Sequence, residues 1–376
     1  MTAEEVLNMV TKVDAGPQTR DIDFYFVTPH GAARSSFLVY LSLVGMWASE
    51  GESWARPQDI NARLSSLAIL KKFKNNGGKY TGLTLDCIMP ECPGLNSLSL
   101  KVPVIRLVRD PLSLLTSGIN YNRLFRFFQE KSFKRTSCAM PSAKEECADY
   151  FSSYVPRLSA YESIFRCLKH PDDVRVVDTS ETFPEDILAT LRRVTDGFSL
   201  APYDPQDQRF YKSYGKVEDL IIDNFNVLNL TSSQGSTATV KVWPDYLSYR
   251  LVNWRNIPTR RLARFELEGQ AYHAVQLLKR PEELEFAFQP DQHLPGLIEF
   301  TKNCLELKET IVRKYAAHKF SKETVIAAIR KTPKLYDTFM KYWETEWSQI
   351  EKTSPSHIQK WWKNSLEIVS GPAVKK

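Results

Sequence analysis

Cysteine is scarce in this chain: six residues in 376, at positions 87, 92, 138, 147, 167 and 304, with no Cys-x-x-Cys pair. That spacing argues against a structural zinc framework and makes reduced thiols the expectation; Cys87 and Cys92 stand close but lack a second pair. Long hydrophobic runs are also missing. The longest, Phe37–Ala48 (FLVYLSLVGMWA), is well short of the roughly 20 residues a membrane-spanning helix needs, and reads as a buried helix. The first residues, MTAEEVLNMVTKVD, are acidic and carry no apolar core of a signal peptide. A cytoplasmic protein is the resulting expectation. There is no internal repeat and no low-complexity tract. Net charge is small: 50 basic residues oppose 44 acidic ones, giving +6. That is too little to imply nucleic acid, though it favours anionic small molecules or an acidic glycan. No group of residues has metal-ligand spacing, so no metal is expected.

What is present is the composition of a large folded unit, with 43% hydrophobic and 25% charged residues. Short β-branched runs alternate with helical patterns up to about residue 230. Asp23–Val27, Tyr80–Cys87, Val102–Val108 and Val174–Asp178 read as strands; Leu112–Gln129, Ala143–Leu168 and Ile187–Thr195 read as helices, the last closed by Gly197. The fold class expected is α/β with a central parallel sheet. Past residue 230, Thr237–Val242, Leu262–Leu267 and Glu285–Gln289 read as strands. From Gly296 the pattern is helical: to about Phe320, then Lys322–Lys331, Leu335–Glu351 and His357–Val369. The division expected is residues 1–230 as a nucleotide-binding domain and 231–376 as a mixed, then helical region that shapes an acceptor site or mediates association. The sequence Lys360-Trp361-Trp362-Lys363 leaves a peripheral membrane contact or sugar platform open beside ordinary helix packing.

The most informative stretch is Val102–Asn120, VPVIRLVRDPLSLLTSGIN. A buried strand ends in Arg109-Asp110-Pro111, proline takes the first helical position, and Ser117 follows Arg109 by eight residues. Arg109 then stands at the carboxyl end of a strand, the edge where open α/β sheets bind ligands. A guanidinium fork and a hydroxyl at that edge suit a phosphate monoester. An ordinary strand-capping arginine paired with Asp110 is the alternative.

A second segment has the same flavour. After the strand at Asp23–Val27 comes Thr28-Pro29-His30-Gly31-Ala32-Ala33-Arg34-Ser35-Ser36, rich in small residues, and then the apolar helix. Small residues let backbone N–H groups approach an anion, the helix start favours its charge, and Ser35 and Ser36 can cap or donate.

In order and spacing these two segments resemble the sulfotransferases that use 3′-phosphoadenosine 5′-phosphosulfate (PAPS). The resemblance implies a P-loop-like three-layer sandwich. It also implies that Arg109 and Ser117 hold the 3′-phosphate and that the Gly31, Arg34, Ser35 and Ser36 loop cradles the 5′-phosphosulfate. The family's loop lysine is absent: His30 stands in its place, and Arg34 is the loop's permanent cation. Arg209–Lys216 (RFYKSYGK), with Lys212, is the counterpart of the family's later basic loop, or else a surface loop. The closest type implied is a divergent bacterial, carbohydrate-directed member.

Sulfuryl transfer needs a base for the acceptor hydroxyl, positive charge on the moving group, and in-line positioning. The family's histidine is not found in Leu83–Pro90. Asp86 is the nearest substitute, with Glu91 second and His30 as a further base or charge stabiliser; Glu50 and Glu52 stand roughly where some glycan sulfotransferases carry a glutamate. Asp86 is equally readable as a turn-capping residue. Arg255, Arg260, Arg261 and Arg264 are candidates to line an acidic acceptor groove. The function expected is transfer of a sulfuryl group from PAPS, as donor substrate, to a hydroxyl, preferably of a carbohydrate. Two alternatives stand beside it: phosphoryl-type transfer from another nucleotide in surface-glycan synthesis, and non-catalytic nucleotide or glycan binding.

Overall fold

The computed structural model describes residues 22–28, 34–48, 78–86, 101–132, 141–153, 168, 172–200, 202–212, 214, 227–233, 235–245, 253–254, 257–278, 286–354, 356–357, 361 and 365. The described residues are mixed α/β, with one parallel and one antiparallel five-stranded sheet among them.

The parallel sheet is built from β1 (Phe24–Thr28), β2 (Met46–Ala48), β3 (Tyr80–Asp86), β4 (Val104–Val108) and β5 (Val174–Asp178), in the order β2-β3-β1-β4-β5. β1 and β4 are buried along their whole length. Such near-continuous apolar runs are what a parallel strand covered on both faces requires. Register places Thr28 beside Asp86 and Val27 beside Arg106.

Helix α1 (Arg34–Leu43) follows β1. The apolar run read from the sequence as one helix is in fact a helix and a strand. Gly45, at φ 84°, turns the chain after Leu43, and Met46–Ala48 pair with Tyr80–Gly82 as β2. A left-handed residue at a helix end costs glycine least. Helix α2 (Pro111–Ser132) starts on proline as expected. Asp110 caps it, accepting from the Ser113 backbone N–H at 3.1 Å and the Ser113 hydroxyl at 2.6 Å. Helices α3 (Ala143–Ser153) and α4 (Ile187–Val194) complete this part.

The antiparallel sheet contains β6 (Val227–Thr231), β7 (Thr237–Pro244), β8 (Asn253–Trp254), β9 (Ile257–Leu267) and β10 (Gln270–Leu277), in the order β6-β7-β10-β9-β8. β10 was not anticipated, and Phe286–Gln289 are not strand. One face of this sheet, with Val240, Val242, Phe265 and Ala274, forms a core with Leu297 and neighbours on α5 (Pro290–Ala316). Trp243 and Val275, on the other face, merge into the main core with Phe26, Leu107 and Phe210.

Helices α6 (Lys322–Arg330) and α7 (Pro333–Thr353) pack on α3, and α6 also meets α2. The end of α5 is tied to α2, where the Tyr315 hydroxyl donates to the Asn120 carbonyl at 2.6 Å. Asn120 in turn bonds both the N–H and the C=O of Phe320. Among the described residues, no helix is long and apolar enough to cross a membrane.

Candidate functional site

The strand order fixes where a ligand would sit. From β1 the chain moves to β2 and β3 on one side; from β4 it moves to β5 on the other. In open α/β sheets, the crevice at such a reversal, outside the carboxyl ends of the strands, is the binding position. Here it is the paired ends of β1 and β4. The β1–α1 connection leaves from Thr28, and Arg109 follows Val108 directly. Two segments about eighty residues apart in the chain are therefore brought to one edge. The backbone of Asp86 ends β3 at the same edge, level with Thr28.

Arg109 is half-buried. Burial lowers its pKa, and Asp110, Asp178 and Tyr150 oppose that by favouring the charged form. The described hydrogen bonds of both carboxylates run to neutral donors, and Lys322 Nζ approaches Asp110 Oδ2 at 4.0 Å as an ion pair. Asp110 takes Ser113 and, at 2.5 Å, the hydroxyl of Ser365. Asp178 takes the Ser180 backbone N–H at 2.8 Å, the Ser180 hydroxyl at 2.6 Å and the Trp361 indole N–H at 2.5 Å. A guanidinium in such surroundings is shielded from water and is held charged by two carboxylates within electrostatic reach. Tyr150 of α3 lies against Gly118 on the second turn of α2. Arg109 and that turn, which carries the half-buried Ser117, thus border the same tyrosine.

Arg34, Ser35 and Ser36 form the first turn of α1; the first two are half-buried and Ser36 is buried. The Ser36 hydroxyl donates to the Tyr214 carbonyl at 2.5 Å, and the Tyr40 hydroxyl donates to the Lys212 carbonyl at 2.7 Å. The basic segment around Lys212 is therefore docked on the helix that opens at the small-residue loop. Lys212 itself is exposed, and Arg209 pairs with Asp207 at 2.6 Å. Burial, with Glu185, pushes the Tyr40 hydroxyl up to about 12, which keeps it a neutral donor.

His30, Gly31 and Glu91 lie outside the described residues, as do Cys87 and Cys92, Glu50 and Glu52; of Asp86 only the backbone is described. Arg260 is committed to Gln276 and the Phe286 carbonyl, whereas Arg261 and Arg264 are exposed. Among the described residues, no group of three or more His, Cys, Asp or Glu is placed to hold a metal ion.

Sequence reasoning did not anticipate that Trp361 and Ser365 reach this edge. Trp361 is buried against Val108, Val176 and Ile350. His357 reaches Glu181 at 3.1 Å, and Glu181 completes a capping box with Asp178. Only the Trp-Trp pair hinted at an anchor there. Comparison with protein-family models, with curated proteins and with solved structures finds no match to this chain.

Proposed function

We propose that this chain is a PAPS-dependent, sulfotransferase-like enzyme with a P-loop-like three-layer architecture, working in the cytoplasm and transferring a sulfuryl group to a hydroxyl of a carbohydrate. One observation carries the reading. The Arg109 motif and the small-residue loop before α1, recognised separately in the sequence, leave adjacent strands at the switch point of the parallel sheet. A nucleotide bearing phosphates at both its 3′ and 5′ positions needs two such anion sites on one edge. Arg109 serves the 3′-phosphate as a bidentate fork, with the Ser117 hydroxyl of the following helix as a further donor. The start of α1, with Ser35, Ser36 and the Arg34 charge, serves the 5′ end through backbone N–H groups and the helix dipole. Arg34 at the first helical position supplies the cation that His30 does not supply permanently.

The chemistry asked of these residues is electrostatic: neutralise the departing phosphate and hold donor and acceptor in line. Calorimetric titration with adenosine 3′,5′-bisphosphate and adenosine 5′-monophosphate, and with cytidine nucleotides alongside, tests the reading. Tight binding that requires the 3′-phosphate supports it. Equal binding of both, or preference for a cytidine nucleotide, moves the activity to another transferred group.

A further inference from the structure

Three residues near the C-terminus meet three acids at the carboxyl edge of the parallel sheet. His357 Nε2 lies 3.1 Å from Glu181 Oε2. The Trp361 indole N–H donates to Asp178 Oδ2, and the Ser365 hydroxyl donates to Asp110 Oδ1, each at 2.5 Å. All three residues are buried. They stand four apart in sequence, and each position is helical. Side chains four apart in a helix share one face. The spacing therefore presents one donor to each acid in turn. The near end is anchored on α7: the Ser354 hydroxyl hydrogen-bonds His357 Nδ1 at 2.5 Å, and the Trp361 ring packs on Ile350.

Two of these acids are the surroundings of Arg109. Asp110 follows it in the chain, Asp178 stands beside Val108 in the sheet, and both favour the charged guanidinium. Glu181 is one step further out, accepting from the Asp178 backbone N–H at 2.7 Å. Among the described hydrogen bonds, Trp361 supplies the one on Asp178 Oδ2 and Ser365 the one on Asp110 Oδ1. The other oxygen of each acid is held within its own turn, by Ser180 and by Ser113, and Lys322 reaches Asp110 Oδ2 at 4.0 Å. Lifting the C-terminal residues away thus takes one donor from each acid and leaves the rest. Every hydrogen bond that a carboxylate accepts favours its charged form. An anion arriving at Arg109 opposes that form, because it brings like charge close to both acids.

We propose that His357, Trp361 and Ser365 form a clasp linked to the anion site: docked, it supports a phosphate at Arg109, and a bound phosphate holds it docked. The identity of that phosphate, the 3′-phosphate of the nucleotide, rests on the sulfotransferase reading above. With the clasp in place, its N–H and O–H donors help Asp110 and Asp178 stay charged beside the incoming anion. With the clasp lifted, both acids turn to the guanidinium for the lost bond and compete with the phosphate for it. Linkage makes the effect reciprocal: the factor by which docking raises phosphate affinity is the factor by which phosphate favours docking. A nucleotide without the 3′-phosphate draws on the clasp far less.

The test is NMR of the full chain with 15N-labelled tryptophan, the Trp361 indole signal being assigned by its loss in Trp361→Phe. Solvent exchange of that indole proton is measured without ligand, with adenosine 5′-monophosphate and with saturating adenosine 3′,5′-bisphosphate. Expected is exchange slowed at least about fivefold by the bisphosphate and far less by the monophosphate. Calorimetry reads the other side of the linkage. Trp361→Phe and Ser365→Ala are expected to weaken bisphosphate binding by about fivefold or more and monophosphate binding far less. Should Trp361→Phe fail to fold, Ser365→Ala, which removes one donor and little volume, carries the comparison. A merely structural segment moves neither the ligand-dependent exchange nor the difference between the two nucleotides. Trp361 exchange unmoved by bound bisphosphate, or native bisphosphate affinity in the folded variants, overturns the proposal. Failure of the native protein to bind the bisphosphate overturns the nucleotide reading, and the link to a 3′-phosphate falls with it, so the two failures are told apart.

Discussion

The indole N–H of Trp361 donates to Asp178 Oδ2 at 2.5 Å, joining residues 183 positions apart at the carboxyl end of β5. Ser365 does the same for Asp110, four residues on in the chain and one strand over, at 2.5 Å. The C-terminal segment is thereby fastened to both carboxylates that flank Arg109. Its neutral donors satisfy one oxygen of each carboxylate; both charges favour the charged form of the guanidinium, and Lys322 also pairs with Asp110 at 4.0 Å.

Trp361→Phe tests this fastening. The ring still fills its place against Val108 and Val176, but Asp178 loses a buried donor. A loss of about 1–3 kcal/mol in urea unfolding is expected. Trp361→Ala, which also empties a buried site, is expected to cost about 3–5 kcal/mol. A Phe variant as stable as the native protein contradicts the role given to the hydrogen bond.

Acid should loosen the same segment. Burial pushes the Glu181 carboxyl up, but His357, the Asp178 backbone N–H and Arg193 outweigh it, so its pKa lies below the usual value. A folded-state pKa below the unfolded one contributes stability that is present above the unfolded value and is lost as pH falls through the folded one. Stability should therefore decline as pH drops below the ordinary glutamate range near 4.5. Glu181→Gln, measured by thermal unfolding across pH 2–6, should show a shallower decline; an unchanged slope contradicts the assignment.

Gly118→Ala probes the contact beneath Ser117. A Cβ at this position meets the Tyr150 hydroxyl at 2.3 Å and two of its ring carbons at 2.4 Å, and the tyrosine is buried. Overpacking of this kind costs about 1–3 kcal/mol. Tyr150→Phe does not rescue it, since the ring carbons remain. Denaturant midpoints of the single and double variants measure both effects.

The parallel sheet was readable because its strands are short, buried and β-branched: Val174–Asp178 was located to the residue, and Val104–Val108 within the longer run assigned. β2 escaped because Phe37–Ala48 is apolar throughout, so only Gly45 marks the break between helix and strand. β10 escaped because Gln270, His273 and Gln276 interrupt its apolar pattern. Its true signature is the two-residue turn at Glu268-Gly269, both at positive φ. α5 begins at Pro290, before the assigned start, with proline in its first turn and Asp291 beside it. At the site, local motifs gave Arg109, Ser117 and the start of α1. Trp361 and Asp178 meet across 183 residues of chain, so the pair leaves no local pattern.

The most direct measurement is the affinity of native protein and Arg109→Ala for adenosine 3′,5′-bisphosphate and adenosine 5′-monophosphate under one buffer. The 3′-phosphate role predicts that the variant loses roughly 2–4 kcal/mol toward the bisphosphate and far less toward the monophosphate. Equal losses for both nucleotides, or none, contradict it.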